Sequence, residues 1–132
     1  AQRQIYYILC GNIAINGLDN VIAHNLAVSN KSNEILDIQL PDYTMPNNFG
    51  GLELIQSARS DNQYMTKNST ETVKTMCIDD FDEPVDFIKM DIEGMEHLAL
   101  RGGIKSITKN RPIVFLEMWN IFWKMPAAVG IK

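Results

Sequence analysis

Val85-Asp86-Phe87-Ile88-Lys89-Met90-Asp91-Ile92-Glu93-Gly94-Met95-Glu96 decides the reading of the chain. An apolar run of strand length ends in carboxylates, passes through Gly94, and opens into a helical pattern. Val85, Phe87, Ile88, Met90 and Ile92 put apolar side chains on both faces, which predicts a strand buried under helices on either side. Period-2 alternation sets Lys89, Asp91 and Glu93 on one side, where burial of three charges would be costly. In open α/β sheets ligands bind outside the carboxyl ends of the strands, and Asp91 falls at such an end. The plainer alternative makes Asp91 and Glu93 caps of the following helix, with Lys89 as their ion partner.

Downstream, residues 94–101 read as a helix with Met95, Leu98 and Ala99 on its buried side. Gly102-Gly103 interrupts it, and residues 104–109 continue as a second short helix with Lys105 and Lys109 toward its negative end. Arg111-Pro112 opens a strand over 113–118, where a first-position proline loses no ladder bond. Glu117 then lies at a carboxyl end beside Asp91, provided the two strands are parallel neighbours. The aromatic stretch Trp119 to Pro126 predicts a helix docked on the sheet.

Upstream, Ile5, Ile8, Leu9 and Ile13 recur at helical spacing over 2–16, with Gly17 as the stop. Tyr6, Tyr7 and Cys10 widen the apolar face, which predicts packing against a sheet. Residues 21–28 read as a strand with a solvent-facing His24. A polar turn at 29–33, a strand over 35–40 closed by Pro41, a loop over 41–51 and a short strand over 52–55 follow. Residues 59–71 are almost wholly polar and read as a surface loop. Residues 72–78 alternate again before the acidic turn Asp79-Asp80-Phe81-Asp82-Glu83, which lacks calcium-loop spacing. Residues of about 30–80 thus form a small antiparallel β insertion in an α/β, doubly wound core.

Composition narrows the function. A chain of 132 residues is one domain or less, and 45% hydrophobic with 21% charged residues is ordinary for a globular protein. A net charge of −4 without a basic cluster predicts no nucleic-acid partner. No apolar run approaches the roughly 20 residues that span a bilayer. With no leader pattern either, the expectation is a cytoplasmic protein with no membrane association. Cys10 and Cys77 form no metal or redox motif and are expected to be reduced thiols.

The block Asp86 to Glu96, followed by Ala99-Leu100-Arg101-Gly102 and then Arg111-Pro112-Ile113-Val114-Phe115-Leu116-Glu117, resembles the FkbM family of S-adenosylmethionine-dependent methyltransferases. Weaker similarity runs from Ile5 to about Trp119. The resemblance implies a Rossmann-like doubly wound core, with S-adenosylmethionine as cofactor. Such domains begin with a strand, a glycine-rich loop, and a second strand ending in a ribose-holding acid. Neither lies within residues 1–132, so the chain is expected to be a partial domain. The resemblance also implies that residues around Leu26-Ala27-Val28 face the adenine and that Asp91 borders the cofactor.

The expected reaction is methyl transfer to an oxygen of a small molecule or saccharide. The protein must hold the acceptor in line, about 3 Å from the methyl, and deprotonate it if it is a hydroxyl. Asp91 or Glu93 is the candidate base, Lys89 would keep a neighbouring carboxylate ionised, and Lys89 and Glu117 border the acceptor. No metal is required. Two other classes stay open. Asp91-Ile92-Glu93 also resembles the acid-x-acid signature of metal-dependent nucleotide-sugar transferases, and a domain fragment can be non-catalytic.

Overall fold

The computed structural model describes residues 2–52 and 64–117. Helix α1 spans Arg3–Ile15. Gly17, at φ 61°, ends it as expected. The Leu18 amide bonds the Ile13 carbonyl and the Gly17 amide the Ala14 carbonyl, the paired bonds of a Schellman cap. The expected packing of α1 on a sheet is not found among the described residues, and no α1 residue is fully buried. Five consecutive apolar residues, Ile5 to Leu9, leave no single stripe, and Tyr7, Ile8 and Leu9 are exposed. What ties α1 down is its start: the Arg3 amide donates to Glu71 Oε1 at 2.9 Å, and Arg3 Nε lies 3.5 Å from Glu71 Oε2.

The strand expected over 21–28 shortens to β1, Leu26–Val28. Val21 and Ile22 are exposed, and apolar alternation without a partner edge makes no ladder. Strand β2 spans Ile35–Pro41 and β3 spans Met65–Met76. They pair antiparallel from Ile35↔Lys74 to Gln39↔Thr70, then shift register to Pro41↔Met65. Residues 65–71, expected as a surface loop, are therefore strand. Their polar residues conceal it, but the long pairing with β2 and the β-branched Thr70, Thr72, Val73 and Thr75 favour extension. Strand β3 also pairs β1 in parallel, giving the order β1-β3-β2. Ala27, Ile38 and Val73 form the core beneath this sheet, with Leu36 against it.

Strand β4, Phe87–Met90, pairs in parallel with β5, Ile113–Leu116, from Phe87↔Ile113 to Met90↔Leu116. Ile78, Met90 and Ala99 form a second core, joined by Val28, Ile88 and Val114. Burial on both faces is not found, for Phe87, Ile113 and Phe115 are 57%, 70% and 62% exposed. Among the described residues the strands form two sheets, one of three strands and one of two, rather than one doubly wound sheet. The architecture is mixed α/β, and Val28 links the two halves through the second core.

Helices α2, Glu96–Arg101, and α3, Ile104–Asn110, flank Gly102-Gly103. A Cβ on Gly102 would stand 2.1 Å from the Ser29 carbonyl oxygen, and one on Gly103 would stand 3.0 Å from Ile78 Cβ. Glycine here permits close contact between chain segments rather than a turn. The acidic run begins in a 3-10 turn, Ile78–Asp80, and its first acids are committed to structure. Asp79 accepts from the Ser106 amide at 2.8 Å and the Lys105 amide at 3.3 Å, capping α3 from a distant segment. Asp80 accepts from the Cys77 amide and the Ser32 hydroxyl. Lys105 lies in the first turn of α3, not near its negative end, because the helix starts at Ile104; Lys109 does lie in the last turn. The expected strand at 52–55 falls outside the described residues beyond Leu52, as do Met118 and the Trp119–Pro126 helix. Among the described residues no helix is long and apolar enough to cross a membrane.

Candidate functional site

The two strand ends meet as the alternation and the R-P turn suggest. The parallel register continues past Met90↔Leu116, with the Glu117 amide bonding the Met90 carbonyl at 3.1 Å, so Asp91 and Glu117 occupy adjacent strand ends. Beyond Asp91 the chain leaves the sheet through two positive-φ residues, Glu93 at 53° and Gly94 at 92°. Left-handed glutamate is uncommon and needs support from its surroundings. Glu96 supplies part of it. This residue is 0% exposed, and its Oε1 accepts the Ile92 amide at 3.0 Å, closing the turn on itself. The buried-face pattern at 95, 98 and 99 did not reveal Glu96, since a carboxylate gives no apolar signal.

Helix α2 begins at Glu96, and its N-cap residue, Met95, makes no side-chain cap bond. Asp91 faces Lys89, the ion partner the plainer alternative gave it, with Oδ2 and Nζ 3.4 Å apart and side chains 43% and 59% exposed. A pair so exposed contributes about 0–1 kcal/mol. The pair sits at the open side of β4 and carries no large burial cost. Glu93 lies past the strand in the turn and is half-buried, so the three charges do not share one strand face.

A cavity of about 170 Å³ opens beside this turn. Leu26, Ala27 and Val28 line it from the end of β1, Asp91, Ile92, Glu93 and Met95 from the turn, and Gly50 and Leu52 from the 42–52 loop; Gln2, just before α1, completes the lining. Residues some 65 positions apart, Leu26 with Asp91 and Ala27 with Glu93, thereby share one hollow. Lys89 and Glu117 do not line it: they stand outside, at the strand ends. Gln2, Gly50 and Leu52 were invisible to sequence reasoning, because nothing in their local pattern marks a cavity wall.

Gln2 is 9% exposed; its Nε2 donates to the Phe49 carbonyl at 2.7 Å, and its Oε1 accepts from the Tyr43 hydroxyl at 3.3 Å. Burial pushes the Tyr43 hydroxyl above its ordinary pKa, with Glu71 adding to the rise and Arg3 opposing it. The group therefore stays a donor throughout the neutral range. His24 is exposed and edge-on to Phe81, at a 6.0 Å centroid distance. Cys10 and Cys77 are free thiols, as expected. Among the described residues no three His, Cys, Asp or Glu side chains gather closely enough to hold a metal ion.

The order of these parts is parallel strand, acidic turn with left-handed glycine, helix, R-P, and parallel strand. A family model described as "Methyltransferase FkbM domain" matches residues 7–125. The chain belongs to the FkbM methyltransferase family. The match spans every strand described and all of α2 and α3, so all of the cavity lining but Gln2 lies within the matched residues and the chain is a methyltransferase domain. No curated protein and no solved structure matches it.

Proposed function

We propose that this FkbM domain transfers a methyl group from S-adenosylmethionine to a hydroxyl of a neutral small molecule or saccharide. One observation carries the reading: the apolar end of β1 and the carboxylates of the Asp91–Gly94 turn line a single cavity. Leu26, Ala27 and Val28 suit the flat face of a nucleoside base. The cavity, at about 170 Å³, is smaller than the roughly 300–1,000 Å³ of a complete ligand site. These residues therefore fit one end of the cofactor. When bound, S-adenosylmethionine supplies an electrophilic methyl on a sulfonium.

The chain's own residues would do the rest. Asp91, at the open end of β4, accepts the acceptor hydroxyl's proton on a carboxylate oxygen; Glu93 is the second candidate. Lys89, beside Asp91, and Glu117, at the adjacent strand end, would border the acceptor outside the hollow. Among the described residues two acids and no lysine or arginine line the cavity, which disfavours a phosphorylated or carboxylated acceptor. Carboxylates accept strong hydrogen bonds from sugar hydroxyls, which favours a saccharide.

The test is Asp91→Asn in the full protein, with turnover and cofactor affinity measured together on a panel of neutral saccharides. Asparagine keeps size and loses basicity, so kcat should fall by about 10²–10⁴-fold while calorimetric affinity for S-adenosylmethionine changes little. Unchanged turnover would retire Asp91 and leave Glu93 as the candidate base.

A further inference from the structure

Part of the cavity wall belongs to a loop, and one buried side chain joins that loop to the start of α1. Residues 42–52 leave β2 and carry Gly50 and Leu52 to the cavity. The base of the loop is fixed locally. The Asp42 amide donates to the Tyr64 carbonyl at 2.9 Å, Asn47 Nδ2 to the same carbonyl at 2.6 Å, and the Asp42 carboxylate binds Thr44 through its amide and hydroxyl. Its far end folds on itself, with the Gly51 amide on Asn48 Oδ1 at 3.2 Å. A Cβ on Gly51 would come within 3.4 Å of Glu93 Oε1, so this end lies against the acidic turn.

Between base and tip, Tyr43 and Phe49 stack with centroids 5.2 Å apart at 24°, and both are tied to α1 by Gln2 alone of the described α1 region's side chains. The Gln2 amide is used as a two-ended clasp: its donor takes the Phe49 carbonyl and its acceptor takes the Tyr43 hydroxyl. Gln2 does not cap its own helix, so the amide is committed to the loop. Burial to 9% keeps water from competing for either bond.

We propose that Gln2 is a positioning residue, clasping the 42–52 loop onto the start of α1 so that Gly50 and Leu52 form a wall of the cofactor cavity beside Glu93. The proposal rests on the methyl-transfer reading. Its first readout, however, needs no activity. In Gln2→Met, which keeps length and burial and loses both bonds, amide hydrogen exchange over 42–52 should speed up by about tenfold, as expected for two neutral hydrogen bonds. Exchange in the β2–β3 ladder should stay as in the wild type, which certifies folding. Tyr43→Phe, which keeps the ring stack and loses one bond, should move exchange the same way by less. The second readout is the cofactor: affinity for S-adenosylmethionine should fall by more than kcat does, because the wall orients and does not react.

Unchanged loop exchange in both variants overturns the clasp. Faster exchange with an unaltered affinity for S-adenosylmethionine overturns the positioning role. A wild-type protein that binds no S-adenosylmethionine and methylates nothing overturns the functional reading and the positioning role with it. That failure is distinct, because it shows in the wild type before any variant is made.

Discussion

Gly102→Ala should destabilise the protein, while Gly11→Ala should stabilise it, though both make the same chemical change. A Cβ at position 102 would lie 2.1 Å from the Ser29 carbonyl oxygen and 3.1 Å from Asn30 Cα. An ordinary carbon–oxygen contact is about 3.3 Å, so the segments must part by roughly 1.2 Å. The obstructing atoms are backbone. The Ser29 amide is bonded to Met76 at 2.9 Å, and the Asn33 amide to Thr75 at 2.9 Å, so the Ser29–Asn33 turn cannot yield without straining the β1–β3 junction. Overpacking of this kind costs about 1–3 kcal/mol. For a domain of this size that lowers Tm by about 3–15 °C. Gly11 lies inside α1 with nothing within 4 Å of an added Cβ, so alanine gains about 0.5–1 kcal/mol of helix preference. Thermal unfolding followed by circular dichroism reads both signs. A Gly102→Ala protein as stable as the wild type would mean that the α2–α3 junction does not press on the Ser29 turn, refuting the packing argument.

Asp79 tests the cap that reaches α3 from a distant segment. Burial pushes its carboxyl up, but the Ser106 and Lys105 amides, with the Ser106 hydroxyl and the Lys105 charge, outweigh that and hold it below the ordinary value of 3.8. A depressed folded-state pKa contributes stability that is present above the ordinary value and is lost as pH falls through the lowered one. Urea unfolding of Asp79→Asn should thus match the wild type near neutrality and lose less on acidification below about pH 4, whereas Asp79→Ala should cost about 0.5–2 kcal/mol, toward the low end for so exposed a group. Equal acid sensitivity in Asp79→Asn would count against the cap. At Glu96, glutamine keeps an acceptor for the Ile92 amide and alanine does not. Exchange of the Ile92 amide should therefore rise in Glu96→Ala alone, with a stability loss of about 1–3 kcal/mol from the stranded donor. Identical exchange in the two variants would show that this bond does not close the turn.

Where local chemistry sufficed, the sequence determined the outcome. The apolar spacing and Gly17 set α1 and its stop, Gly102-Gly103 set the break between α2 and α3, and Arg111-Pro112 set the start of β5. The motif around Asp91 specified the family, and parallel pairing of β4 with β5 followed from strand, helix and strand in that order. Tertiary structure decided the rest, because partners cannot be read from one segment. Residues 65–71 look like loop until β2 supplies an edge to pair with. Residues 21–25 look like strand and have no such edge. Apolar residues on both faces of β4 promised double burial, yet only the Ile88 and Met90 side is covered. Asp79 looks like solvated charge until α3 arrives with free amides, and Glu96 like surface charge until Ile92 turns back on it. The cavity is the extreme case. Leu26, Glu93, Gly50 and Gln2 come from four separate segments, and only long-range packing makes them neighbours.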